Sequence, residues 1–145
     1  METGKRKIYE MKDGCLTVNG RKVFEKLSFV ARAGEPFRLN SLKGEDRTLL
    51  AKVLLGLWPL DSGYITIDGA LLTARSAPYM RKWMAYLPQE LPEEVTSLHQ
   101  ALREISEEGK QIVIVDTAPG EQNRKLLDDY IERQVADNKI LIIFM

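Results

Sequence analysis

Thr48-Leu49-Leu50-Ala51-Lys52-Val53-Leu54-Leu55-Gly56-Leu57-Trp58-Pro59-Leu60-Asp61-Ser62-Gly63-Tyr64-Ile65-Thr66-Ile67-Asp68-Gly69 contains a helix, its stop, a turn and a strand. Leu49, Leu50, Val53, Leu54 and Leu57 recur at three- and four-residue spacing, which predicts a helix over Arg47 to Leu57. Gly56 near its end and Pro59 beyond it are the residues that stop a helix, one by entering the left-handed region and the other by lacking an N–H. Pro59 to Gly63 then reads as a turn. Tyr64-Ile65-Thr66-Ile67 alternates as a strand, and Asp68-Gly69 turns the chain back, predicting a hairpin.

Outward toward the N-terminus, residues 6 to 39 read as strands. Val23, Leu27 and Phe29 share one parity, and Val18-Asn19-Gly20-Arg21 carries an Asn-Gly hairpin turn. Ala33-Gly34-Glu35-Pro36 interrupts this pattern, and Phe37-Arg38-Leu39 is a short strand at best. Outward toward the C-terminus, a short helix is expected around Met80 to Met84, then a strand at Ala85-Tyr86-Leu87 stopped by Pro88. Leu91-Pro92-Glu93-Glu94 reads as a polar connector. Val95, Leu98, Ala101, Leu102 and Ile105 give an amphipathic helix ending at Glu108-Gly109-Lys110. Ile112-Val113-Ile114-Val115 is a β-branched run without alternation, which marks a strand buried on both faces of a parallel sheet. Leu126, Leu127, Tyr130, Ile131 and Val135 form the next helix, closed by Asp137-Asn138-Lys139, and Ile140 to Phe144 is another apolar strand. Helix and buried strand in alternation predict a layered α/β domain over residues 1 to 145.

Composition narrows the function classes. The chain has 145 residues, 44% of them hydrophobic, with 21 basic and 21 acidic side chains. That length buries enough surface to hold a core without a disulfide or metal. Zero net charge argues against a nucleic-acid partner bound through bulk electrostatics, and Gly4-Lys5-Arg6-Lys7 reads as a solvated tail. Cys15 alone makes no internal disulfide, which suits the reducing cytoplasm, and His99 alone reads as a helix-surface residue rather than a metal ligand. The N-terminus lacks the apolar stretch of a signal peptide, and the longest apolar run, Ile140 to Met145, is far short of the roughly 20 residues a membrane span needs.

The order of these pieces resembles the nucleotide-binding subunit of ATP-binding cassette (ABC) transporters. Val23 to Phe29 with Ala33-Gly34-Glu35 looks like the hairpin leading into that family's phosphate loop. Thr48 to Gly69 follows the family pattern almost residue for residue, and Ala85-Tyr86-Leu87-Pro88-Gln89-Glu90 is similar to its glutamine loop. Ile112 to Asp116 sits where its second nucleotide motif falls, and Ile140 to Phe144 resembles the strand before its switch histidine. The resemblance implies a P-loop NTPase-like, ABC ATPase-like fold: a layered parallel sheet core with an N-terminal antiparallel β subdomain. It also implies ATP and magnesium as ligands, and a site near the cytoplasmic face of a membrane.

Several positions depart from that family's chemistry. A phosphate loop of the form G-x-x-x-x-G-K-[ST] needs glycines so that N–H groups converge on phosphate, a lysine to neutralise it, and a hydroxyl for magnesium. Anchored on Thr48-Leu49-Leu50, the glycines fall on Asn40 and Glu45, the lysine on Asp46 and the hydroxyl on Arg47. One unit charge pair at about 4 Å and an effective dielectric near 20 is worth about 4 kcal/mol, so exchanging lysine for aspartate shifts phosphate binding by several kcal/mol before screening. Glu45 and Asp46 instead suit the positive end of the helix. Val18 replaces the adenine-stacking aromatic residue, Thr117 the glutamate that polarises water, and Asn123 the aspartate of the following loop. The interval from Gln89 to Asp116 has room for one helix, where the family places a helical subdomain and a signature motif.

ATP hydrolysis is therefore expected to be lost, with no catalytic residue retained and no cofactor needed. The expected role is an interaction or regulatory module whose partner is a membrane permease, an intact ATPase subunit or a second copy, with no insertion into the bilayer. The alternative is an ATP-binding subunit with an unorthodox phosphate loop, in which Lys43, Gly44, Arg47 and Thr48 would meet nucleotide and Asp116 the magnesium ion. Gln89 and Asp116 are expected as polar residues of a loop and a strand end rather than as contacts to a partner or magnesium ion. Lys43 and Arg47 are expected to pair with Glu45 or Asp46. Trp58 and Tyr64 are expected in core or edge packing, and Glu107-Glu108 and Asp128-Asp129 on solvated helix faces.

Overall fold

The computed structural model describes residues 5–90, 97–107, 109–117 and 120–144. Two long strands, β1 (Ile8–Val18) and β2 (Arg21–Arg32), form an antiparallel hairpin. Asn19 and Gly20 turn between them at φ 52° and 77°, the positive pair whose twist matches the strands it joins. Val23, Leu27 and Phe29 turn toward the core as their shared parity implies, but Phe24 breaks the alternation. Val23 and Phe24 are neighbours and both are buried, because the register shifts between Gly14 and Leu16. Lys26, at φ 50°, donates its N–H to Cys15 Sγ at 3.3 Å there, so the bulge re-aims the following side chains. Arg6 and Lys7, expected in a solvated tail, are anchored instead. Arg6 lies over the Trp83 ring at 4.2 Å and 3.8 Å from Asp68 Oδ2, while the Lys7 and Ile8 amides donate to Asp68 Oδ1.

Helix α1 (Glu45–Leu54) starts earlier than its leucine spacing implied and buries Leu50, Ala51, Val53 and Leu54. At its end Gly56 takes φ 74°, its amide reaching the Val53 carbonyl and the Leu57 amide the Lys52 carbonyl. This paired closure is a Schellman motif. Leu57 lies past it and is 57% exposed rather than on the buried stripe. The Tyr9 hydroxyl and the Arg81 guanidinium satisfy the last carbonyls, at Leu54 and at Leu55 and Gly56. Strand β4 (Ser62–Ile67) returns along β1, and β5 (Ala70–Leu71) closes the second hairpin through Asp68 and Gly69, giving the antiparallel order β2-β1-β4-β5.

The other sheet is parallel, ordered β3-β8-β7-β6 from β3 (Phe37–Arg38), β6 (Met84–Leu87), β7 (Ile112–Val115) and β8 (Ile140–Ile143). A single turn of helix, α2 (Ala77–Met80), and a 3-10 turn at Arg81–Trp83 precede β6, so the short helix sits earlier than Met80 to Met84. Helices α3 (Leu98–Glu107) and α4 (Glu121–Ala136) make the crossovers. The expected connector at Leu91 to Glu94, Val95 and Glu108 lie outside the described residues. Every residue of β7 and β8 is buried, and their alternation sorts two cores. Ile112, Ile114, Ile140 and Ile142 face α1 and the antiparallel sheet; Val113, Val115, Leu141 and Ile143 face α3 and α4. This is the layered arrangement implied by apolar runs without alternation.

Candidate functional site

The first turn of α1 lies where the carboxyl ends of the parallel strands converge, the usual ligand position in open α/β sheets. The parallel register aligns Leu87, Val115 and Ile143, and the Leu39 amide donates to the Ile143 carbonyl at 2.8 Å. Gly44, at φ 54°, admits the chain into α1, and Asp116 leaves β7 with its amide on the Leu87 carbonyl at 2.8 Å. A loop and three strand ends are thereby held around one polar cluster.

Two opposite ion pairs fill that cluster. Asp46 is gripped by Arg21, Nη1 to Oδ2 at 3.1 Å and Nη2 to Oδ1 at 2.8 Å. Hydrogen bonding to Arg21 holds the Asp46 carboxyl below its ordinary range, and Asp46 in return raises Arg21. Arg47 runs inward: its Nε lies 2.9 Å from Asp116 Oδ1, and a terminal nitrogen donates to the Asp116 main-chain oxygen. The Nε–Oδ1 approach is an ionic contact rather than a hydrogen bond, since neither atom finds an aligned partner. Tyr86 donates to Asp116 Oδ2 at 2.8 Å. Burial, and then this bond to Asp116, push the Tyr86 hydroxyl well above its ordinary pKa. Gln89 Nε2 donates to the Gly44 carbonyl at 2.7 Å and Thr48 Oγ1 at 3.0 Å, tying the β6 loop to the start of α1.

Gly44, Arg47, Thr48, Gln89 and Asp116 are thus brought together, while Lys43 is exposed. The pairing expected among Lys43, Arg47, Glu45 and Asp46 does not form; Asp46 and Arg47 choose distant partners instead. Thr117 is buried next to Asp116, and Asn123 is exposed in the first turn of α4, not in a loop. Val18 edges a hollow of about 590 Å³ with Arg21, Glu45, Thr48 and Lys52. Trp58 and Tyr64 are part-exposed beside a second hollow of about 460 Å³ near β4 and β5, an edge rather than a core position. Asp128 and Asp129 are solvated, as is His99, whose Nδ1 lies 3.3 Å from Arg103. Arg21 and Tyr86 were not singled out by sequence reasoning, because nothing local marks a side chain whose partner lies in another element.

The magnesium ion implied by the resemblance would need the Asp116 carboxylate open and a hydroxyl at position 47. A guanidinium stands there instead, and the second carboxylate oxygen accepts from Tyr86. No group of three acidic, histidine or cysteine side chains able to hold a metal occurs among the described residues. As arranged, these residues do not fit a divalent cation.

No protein-family model matches the chain. A ribose import ATP-binding protein of Bacillus cereus is 34% identical over 83 residues, 57% of this chain and 17% of that protein. A putative ribose/galactose/methyl galactoside import ATP-binding protein of Rhizobium meliloti is 41% identical over 76 residues, 52% of this chain and 14% of that one. A type I secretion system ATP-binding protein of Rhizobium meliloti is 28% identical over 98 residues, covering 68% and 17%. Among solved structures, an ATP-binding subunit of an ABC transporter superposes with TM-score 0.70 at 19% identity, over 95% of this chain and 79% of its own. The cbiO1 subunit from Clostridium perfringens, part of an ABC transporter complex, superposes with TM-score 0.76 at 12% identity, over 96% and 78%. The chain spans less than a fifth of the length of the curated relatives named. It has the P-loop NTPase fold of ABC transporter ATP-binding subunits, and its relatives in sequence are ABC ATP-binding proteins.

Proposed function

We propose that this chain is an ABC ATP-binding-subunit-like module that has lost ATP hydrolysis and acts through protein contact. The observation that carries this reading is Asp46: a carboxylate stands where the phosphate-loop lysine falls, held in place by Arg21. Phosphoryl transfer depends on positioning and charge neutralisation, and an anion at that point repels both ground and transition states. Thr117 in the glutamate position supports the same reading, since its hydroxyl is no general base at neutral pH. The alternative phosphate loop would recruit Lys43 and Arg47, and the engagement of Arg47 with Asp116 weighs against it. A permease, an intact ATPase subunit or a second copy is the partner class, and the cytoplasmic side of a membrane the place. No helix among the described residues is long and apolar enough to cross a bilayer.

The test is calorimetric titration of Mg-ATP into the purified chain, with phosphate release followed in parallel. No heat of binding at micromolar protein and no turnover are expected. Asp46→Lys should gain measurable nucleotide binding. Micromolar affinity or turnover in the unmodified chain would overturn the proposal.

A further inference from the structure

The pairing of Arg47 with Asp116 has a consequence for the fold as well as for nucleotide. We infer that the Arg47 guanidinium is a built-in counter-cation: it takes the place of a divalent metal at Asp116 and fastens the start of α1 to the end of β7. This rests on the reading above and extends it to the cation half of the site.

Asp116 is fully buried, and a buried carboxylate needs a compensating charge close by. Arg47 supplies it from a side chain only 16% exposed, touching the carboxylate through Nε and the main-chain oxygen through a terminal nitrogen. That second contact fixes the guanidinium to backbone, so it cannot swing off without leaving the main-chain acceptor unpaired and the buried carboxylate uncompensated. Tyr86 occupies Oδ2. A divalent ion entering here would face a unit positive charge 2.9 Å from the oxygen it must bind.

The experiment uses the full chain, freed of metal by chelator, with Mn2+ as a paramagnetic probe followed by its solution resonance signal. The wild type should leave millimolar Mn2+ free, and its melting temperature should not change with Mg2+. Arg47→Ser should take up one Mn2+ per chain, and Arg47→Ser with Asp116→Asn should take up none. Melting temperatures give a second readout. Each single change should lower it, and the double variant should melt no lower than the worse single one, because removing both charges leaves neither buried alone. If Arg47→Ser does not fold, its rescue by Mn2+ or by Asp116→Asn supports the inference, and failure of both rescues overturns it. Mn2+ uptake by the wild type that Asp116→Asn abolishes, a folded Arg47→Ser that takes up none, or additive losses in the double variant would also overturn it. The two proposals fail separately. ATP turnover by the wild type ends the loss of hydrolysis, whereas Mn2+ uptake at Asp116 without nucleotide ends the counter-cation and leaves that loss standing.

Discussion

At the scale of single residues, Asp46 and Arg47 are adjacent yet opposite in sign and direction. Neighbours on a helix point about 100° apart, so they cannot pair with each other and each is aimed at a different part of the molecule. Asp46 faces Arg21 at the surface, where the pair is screened and adds little to stability. Its pH dependence is still readable. The Asp46 carboxyl is depressed by Arg21, so its contribution is present above the ordinary carboxylate range and lost as pH falls through the lowered folded value. Asp46→Asn should therefore be slightly less stable than wild type at pH 7, with the gap closing as pH falls through and below the ordinary carboxylate range, as urea unfolding across that range would show. The substitutions at positions 46 and 47 were legible in the sequence, but their partners were not. Arg21 and Asp116 lie 25 and 69 positions away in the chain, beyond any helical spacing rule.

At the scale of elements, the sequence was readable wherever a local conformation demanded a particular residue. Asn19-Gly20, Gly56, Asp68-Gly69, Gly109 and Asn138 all adopt positive φ, and each ends a strand or helix that hydrophobic spacing had located. The bulge in the β1–β2 hairpin was not legible because a bulge has no fixed residue signature; Lys26 and Asp13 enter the left-handed region despite their side chains. Gly63 tests how tightly these elements are set. It opens β4 at φ 81°, and a methyl group there would run into the Asp13 backbone carbonyl of β1, which cannot rotate away as a side chain could. Gly63→Ala should cost more than about 2 kcal/mol, adding backbone strain to overpacking. Gly20→Ala, where a methyl meets open space, should cost less, bearing the strain alone. Chemical denaturation of the two variants side by side checks the order.

At the scale of the whole molecule, the apolar runs of β7 and β8 announced a sheet covered on both faces. They did not reveal which strands would neighbour one another, since the pairing of β1 with β4 and of β3 with β8 joins segments far apart in sequence. That arrangement makes one sheet the shared wall of both cores, and it has a mechanical consequence. Leu102 of α3 packs in the outer core, whereas Trp83 packs against the inner one. Between the two cores stands the parallel sheet, whose strands send side chains to both sides. Truncating a buried leucine typically costs about 2–5 kcal/mol. If the sheet couples the cores, Leu102→Ala should lower the Trp83 fluorescence transition and the helical circular-dichroism transition together, in a Trp58→Phe background that leaves Trp83 as the reporter. Separate midpoints, with the fluorescence transition unmoved, would mean that the inner core and the candidate site stand without α3 and α4. Coincident, equally shifted midpoints would mean that the α1 cluster is held by the entire layered stack, because β7 delivers Asp116 only when both of its faces are packed.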